Sequence, residues 1–299
     1  MSLERFAPAK VNLFLHVGPV QPDGYHPVCS LMVFADLGDT VRLDWDASAP
    51  LSIAGPFAKA LAQSSGGDNL ILRARDLFQA RFGPSPRPFG LVLDKQLPIA
   101  AGLGGGSSDA AATLTLMARA WRLSPADAAE DGPLGKIARH LGADVLACLR
   151  ARSVIGLGRG DHLIPAPALP ILDGVLVNPG CPSATGGVYR AFDAEPPALG
   201  ADHPEPHPEN RTPRETAAWL AGLRNDLQNP AVALEPRIGA ALAALEEQPE
   251  TLLSRMSGSG ATCLALCGGR AEASAMAARL AAAQPGWWVR ACRLGVSQT

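Results

Sequence analysis

One stretch restricts this chain more than any other: Pro98-Ile99-Ala100-Ala101-Gly102-Leu103-Gly104-Gly105-Gly106-Ser107-Ser108-Asp109-Ala110. It follows residues 91–97, which read as a strand ended by Pro98. It precedes a helix whose apolar face is Ala110, Leu114, Met117, Ala118 and Trp121. Ser107 or Ser108 is expected as the N-cap, with Asp109 in the first turn. Four glycines ahead of a helix start let backbone N–H groups approach a ligand closely. The helix adds unpaired donors and the positive end of its dipole, so the junction suits an anion, most naturally phosphate. It is not a Walker loop, because no Lys follows the glycines. It is not a dinucleotide loop either, because Ser107 stands where G-x-G-x-x-G requires glycine. A plain glycine turn with a serine cap would share the composition; the place between strand and helix favours phosphate.

Composition narrows the function classes. At 299 residues, 47% hydrophobic and 18% charged, the chain can bury a sizeable core and is not a disordered polymer. Its 26 basic and 28 acidic residues leave a net charge of −2, which does not build the basic surface of a nucleic-acid binder. Six cysteines, Cys29, Cys148, Cys181, Cys263, Cys267 and Cys292, include no C-x-x-C pair, so a zinc site is not expected. The start, Met1-Ser2-Leu3-Glu4-Arg5-Phe6, lacks the apolar core of a signal peptide, and no stretch is long enough to cross a bilayer. A soluble, cytoplasmic protein with reduced thiols is expected.

Elsewhere the periods alternate between strand and helix. Val11, Leu13, Leu15 and Val17 alternate with Lys10, Asn12, Phe14 and His16, the two-residue period of a strand. The turn Pro22-Asp23-Gly24 follows. Residues 28–34 and 40–43 read as two strands separated at Gly38-Asp39. Residues 70–82, 137–141, 238–247 and 271–283 read as helices, and 262–266 and 289–294 as strands. Prolines crowd residues 195–213, which are expected to form a surface loop. The chain is therefore expected to be α+β with two domains, 1–160 and 161–299.

Three ordered motifs carry a family resemblance. They are Pro8-Ala9-Lys10-Val11-Asn12-Leu13, the glycine loop, and Met256-Ser257-Gly258-Ser259-Gly260-Ala261-Thr262. Together they resemble the kinases grouped as galactokinase, homoserine kinase, mevalonate kinase and phosphomevalonate kinase, the GHMP kinases. The resemblance implies a two-domain fold with the active site in the cleft between domains, ATP as co-substrate and Mg2+ beside it. Within the family, Asp23-Gly24-Tyr25-His26, Leu141-Gly142-Ala143-Asp144-Val145 and Asn225-Asp226-Leu227 resemble the branch that phosphorylates a CDP-linked sugar alcohol. Kinases for mevalonate, phosphomevalonate or homoserine share the loop but not Asp-Gly-Tyr-His. A non-catalytic nucleotide-binding protein on the same scaffold is the other alternative.

Roles follow from the resemblance. Asp144 corresponds to the acceptor of the hydroxyl proton, and Lys10 to the cation the family places beside it. On its own, Asp144 could equally cap a turn, and Lys10 at a strand start would ordinarily be exposed. Pro98, Ile99, Ala100, Ala101, Gly102, Leu103, Gly104, Gly105, Gly106, Ser107 and Ser108 correspond to the ATP phosphate loop. Asn12, Tyr25, His26 and Tyr189 correspond to the acceptor site, the two tyrosines as walls for the cytosine. Ser257, Gly258, Ser259 and Gly260 form the third loop. The Asp68-Asn69-Leu70 segment lies near adenine in the resembled enzymes, although a helix cap explains it as well. No feature marks a dedicated magnesium cage. The chain departs from the family pattern at Pro27-Val28, at Leu146 and at Gly156-Leu157-Gly158-Arg159-Gly160-Asp161, and these changes spare Lys10, Asp144 and the glycine loop.

Overall fold

A computed structural model describes residues 3–64, 69–85, 87–194, 200–204 and 211–296. Much of the expected loop at 195–213, and Asp68 of the adenine segment, lie outside the described residues. The elements in order begin with β1 (Leu3–Val17), β2 (Val28–Asp44), β3 (Leu51–Ala54), α1 (Ala58–Ser64), α2 (Leu70–Phe82) and β4 (Gly90–Asp94). Next come α3 (Gly105–Ala120), α4 (Pro125–Ala128), α5 (Pro133–Leu141), α6 (Ala143–Arg150), β5 (Val154–Gly158), β6 (His162–Pro165) and β7 (Leu172–Asn178). The chain continues through α7 (Thr185–Ala194), α8 (Pro213–Ala221), α9 (Gln228–Leu234) and α10 (Pro236–Glu246), then β8 (Leu253–Met256), β9 (Cys263–Cys267), α11 (Arg270–Ala283) and β10 (Trp288–Leu294). No helix among the described residues is long and apolar enough to cross a membrane.

The chain divides into two compact units, and neither is a continuous segment. One holds Met1–Ala9, Gly38–Ile99 and Gly104–Ala151; the other holds Lys10–Leu37, Ala100–Leu103 and Arg152–Thr299. A single cut after residue 160 does not follow these units. The reason lies in β1 and β2, long strands that each give one end to one unit and the remainder to the other.

In the first unit, residues 40–44 of β2 pair antiparallel with β4, and β3 lies parallel to β4. Helix α2 packs on α3 and α5, and α3 packs on α6. Asn69 caps α2, its side chain accepting the N–H of Ile71, and Ile71, Ala74 and Phe78 form the buried face. The apolar face expected for the helix after the glycines is present, with Ala110, Leu114, Met117 and Ala118 buried.

The break expected at Gly38-Asp39 does not occur: β2 runs unbroken from Val28 to Asp44. Gly38 is there because β1 passes so close that a Cβ would stand 2.2 Å from the carbonyl oxygen of Ala7. Asp39 is fully buried rather than turning out to solvent, and it accepts the N–H groups of Gln96 and Leu97.

In the second unit an antiparallel sheet runs β10-β7-β9-β8, with Leu294 opposite Leu172, Val177 opposite Cys263 and Met256 opposite Cys263. Its core joins Val175, Val177, Ile238, Leu242, Leu245, Met256, Met276 and Leu280 with Leu15 and Val17 of β1. Residues 28–32 of β2 pair with β5, which continues into β6. The β8–β9 hairpin carries residues 257–262, the third motif, at its turn.

Candidate functional site

The three motifs are far apart in sequence, yet the second unit joins parts of all of them. Lys10 donates its backbone N–H to Leu103 O at 2.8 Å. Thr262 donates its N–H to Ala101 O at 3.1 Å. The Ser257 hydroxyl donates to Gly102 O at 2.9 Å and accepts the N–H of Asn12 at 3.1 Å. Residues 100–103 are thus stitched between β1 and the β8–β9 turn. Gly102, at φ 72°, is required by this packing, since a Cβ there would stand 2.2 Å from Ser257 O.

The strand period correctly puts Lys10 and Asn12 on one face, but Lys10 is not exposed: only 5% of it is accessible. Its ammonium donates to Asn12 Oδ1 at 2.8 Å, and Asn12 Nδ2 donates to the Ser30 hydroxyl at 2.7 Å. Buried polar groups must be hydrogen-bonded to be tolerated, and this chain of contacts fixes the ammonium in place. Ser30 carries no motif signal. Asn225 does a similar service, donating to Met256 O and Gly258 O and so holding the third loop from behind.

The remaining glycines open α3 in the first unit. The helix starts earlier than the sequence suggests. Gly104, at φ 59°, is its N-cap, no side chain caps it, and Ser107 and Ser108 are already helical. A serine cap would have consumed one of the first N–H groups. A glycine cap leaves the donors of Gly105, Gly106 and Ser107 outside the intrahelical ladder, which is what an anion needs. Ser108 is buried, and its hydroxyl has no hydrogen-bond partner.

Beneath this turn sits a group that the motifs did not signal. Lys95 Nζ lies 2.5 Å from Asp39 Oδ2 and 3.0 Å from Asp109 Oδ2, with all three residues buried. Gly105 closes over it, since a Cβ there would stand 2.9 Å from Lys95 Nζ. One cation serves two carboxylates, and Asp109 Oδ1 has no partner. Burial pushes the Asp109 carboxyl up from 3.8 to about 7, with the charge of Lys95 opposing and that of Asp39 adding. The folded protein therefore holds a proton on Asp109 at pH values where the unfolded chain has released it. This stabilises the fold below about pH 4, and the benefit is lost as pH rises through about 7. Asp109→Asn removes that titration. The melting temperature of the variant minus that of the parent is expected to rise between pH 5 and 8; a flat difference would place the proton elsewhere. His16, whose burial lowers its pKa, contributes the opposite slope to both proteins and cancels in the difference.

Asp144 lies in the first turn of α6, half-buried, just past Gly142, which ends α5 and caps α6. The apolar run after it is helical, with Val145, Leu146, Ala147 and Cys148 buried. The helix start favours a negative charge at this position. Asp144 belongs to the first unit and Lys10 to the second.

Tyr25, His26 and Tyr189 belong to the second unit. Tyr189 is on α7, and its ring lies 5.0 Å from that of His26. His26 Nδ1 faces Gly18 O at 2.9 Å, so that nitrogen must carry the hydrogen, and Nε2 lies 3.3 Å from Asp193 Oδ1. The Tyr25 side chain is not packed into the core: 55% of the residue is exposed. Ser259 accepts at its carbonyl from Ser183, and its hydroxyl shares a hydrogen bond with Thr185 at the start of α7. Thus the third loop and the Tyr189 helix are joined.

No group of three or more His, Cys, Asp or Glu side chains among the described residues could hold a metal ion. All six cysteines are free and buried.

The chain is similar to proteins of known family. The family described as GHMP kinases N terminal domain matches residues 69–152, and GHMP kinases C terminal matches residues 210–286. A 4-diphosphocytidyl-2-C-methyl-D-erythritol kinase of Caulobacter vibrioides is 55% identical, covering 98% of this chain and 100% of its own. One from Hyphomonas neptunium is 45% identical, covering 99% and 98%. The crystal structure of a 4-(cytidine 5'-diphospho)-2C-methyl-D-erythritol kinase superposes with a TM-score of 0.76 at 33% identity, over 98% of this chain and 100% of that one.

Proposed function

The chain belongs to the GHMP kinase family, and from that membership we propose that it transfers the terminal phosphoryl group of ATP to the 2-hydroxyl of 4-diphosphocytidyl-2-C-methyl-D-erythritol, a step toward isoprenoid precursors. The observation that carries the acceptor is the exposed ring of Tyr25 next in sequence to His26, whose own ring lies against Tyr189, in the unit that also holds the joined motifs. An acceptor without a base, such as mevalonate or homoserine, has no use for such a group.

Phosphoryl transfer asks the protein for charge neutralisation, an in-line hydroxyl and a destination for its proton. The backbone donors of Gly105, Gly106 and Ser107 take the phosphates, with residues 98–104 shaping the approach. Asp144 accepts the proton of the 2-hydroxyl as its oxygen attacks the terminal phosphorus and ADP departs. Lys10, fixed by Asn12, supplies positive charge where it develops on the transferred group. Ser257, Gly258, Ser259 and Gly260 close on the substrate from the β8–β9 turn. The rings of Tyr25 and Tyr189 stack on the cytosine, with His26 held between Gly18 and Asp193 beside Tyr189; stacking of this kind is worth roughly 1–3 kcal/mol per base.

Mg2+ enters this reading as an ion carried by the triphosphate, which needs no dedicated all-protein cage. When bound, it neutralises charge on the phosphates. Buried, reduced thiols suit a reducing compartment, in this reading the cytoplasm.

The test is ADP release with a panel of acceptors: the CDP-linked alcohol, its cytidine-free phosphate, mevalonate and homoserine. Turnover confined to the CDP-linked acceptor is expected. Equal turnover of the cytidine-free compound would overturn the acceptor assignment, and no ADP release with any acceptor would overturn the kinase reading.

A further inference from the structure

The exposed ring of Tyr25 needs something to hold its plane, and the protein supplies it from a distant segment. Residues Gln21 to Tyr25 form a closed turn: Gln21 donates its N–H to Tyr25 O at 2.8 Å, and Gly24 to Gln21 O at 2.9 Å. Asp23 Oδ1 accepts the N–H of Tyr25 at 3.0 Å. These contacts fix the backbone but leave the side chain in solvent.

The register of β2 against β5 brings the missing contact. Val28 is opposite Gly158, so the turn after β5 is carried to the turn before β2. Gly158 and Gly160 have φ of 65° and 87°, left-handed values that let the chain reverse tightly and present Arg159. The Arg159 guanidinium carbon lies 4.0 Å from the centre of the Tyr25 ring. Its Nη2 donates to Asp23 Oδ2 at 2.5 Å. One carboxylate thus holds the backbone of Tyr25 with one oxygen and the cation stacked on the Tyr25 ring with the other.

We infer that Arg159 is a positioning residue for the nucleotide part of the acceptor: clamped by Asp23, it covers one face of Tyr25 and holds the ring so that the other face receives the cytosine. This rests on the acceptor assignment above. Arg159 lies between the two glycines of Gly158-Arg159-Gly160, where the turn presents it. A planar guanidinium stacks on an aromatic face while its edge still bonds a carboxylate, and Lys cannot do both. A ring ordered before the base arrives loses less freedom on binding than one that must be ordered by it.

The role separates from a merely structural one by the split between substrates. Arg159→Ala is expected to raise KM for the CDP-linked acceptor roughly 3-fold to 10-fold, an effect scaled to an exposed cation–aromatic pair. KM for ATP and turnover at saturation should stay within about twofold, because neither the phosphate loop nor Asp144 is touched. Arg159→Lys should recover only a small part of the loss. In a Tyr25→Ala background, Arg159→Ala should add almost nothing, since its effect runs through that ring.

Four results would overturn the inference: an unchanged acceptor KM in Arg159→Ala, parallel rises in both KM values, full rescue by Lys, or additive effects in the double variant. In each of these the parent remains an active kinase, so the reading beneath the inference still stands. A parent that turns over the cytidine-free acceptor as readily as the CDP-linked one overturns both together.

Discussion

Asp144→Asn is expected to lower turnover about 10²–10⁴-fold, the usual span of a general base, while ATP binding is retained. The substitution keeps the shape and the place in the first turn of α6 but removes the charge and the basicity. In the proposed mechanism the phosphates are met by backbone donors at the start of α3, and those are untouched. The measurement is single-turnover phosphoryl transfer, with ATP affinity read separately by calorimetry. A variant that binds both substrates and turns over near the parent rate would remove Asp144 from the chemistry. A variant that loses ATP affinity as well would make it a phosphate-site residue instead.

Gly102→Ala and Gly104→Ala are expected to fail in different ways, although a single residue separates them. At Gly102 the added methyl would stand 2.2 Å from Ser257 O and 2.9 Å from Gly260 O, at a φ of 72°. Left-handed strain and overpacking against backbone that cannot swing away together cost roughly 2–5 kcal/mol of stability. The loss should appear as a lower midpoint of urea unfolding in the absence of any substrate. Gly104, at φ 59°, caps α3, so Gly104→Ala meets the strain of a left-handed conformation, about 1–2 kcal/mol. The substitution, however, falls at the cap immediately before the donors of Gly105 to Ser107. ATP affinity is expected to fall on the order of tenfold, or about 1.4 kcal/mol. Equal loss of stability in the two variants would mean that residues 100–103 are not clamped as the hydrogen bonds imply. Unchanged ATP affinity in a folded Gly104→Ala would remove the phosphate-loop assignment.

Much of this protein was legible before any coordinates because the signals are local. Helix α2 occupies the residues its periodicity marks, 70–82, since its apolar face and its Asn69 cap lie within one short segment. The glycines before α3, the alternation around Lys10 and the third motif each announce a conformation through their immediate neighbours. Three such motifs in order were enough to identify the family. The sequence also pairs Tyr25 with His26 and points to Tyr189, and the second unit does set the rings of His26 and Tyr189 side by side.

What the sequence could not decide are the properties set by partners distant along the chain. Gly38-Asp39 has the composition of a turn, yet it is the middle of a strand, because β1 leaves no room for a side chain at 38 and residues 95–97 satisfy the carboxylate of 39. Lys10 reads as an exposed strand end and is buried because Asn12 and the loop at 100–103 enclose it. The helix after the glycines starts at Gly105 rather than at a serine, and Ser108 and Asp109 are turned inward toward the buried interior instead of capping it. A residue's period and its turn propensity depend on neighbours a few positions away. Its burial, its hydrogen-bond partners and its charge depend on which remote segments the fold lays against it. The chemistry was therefore written in the motifs, but the environment that allows Lys10, Asp109, Tyr25 and Arg159 to act was decided only when those segments met.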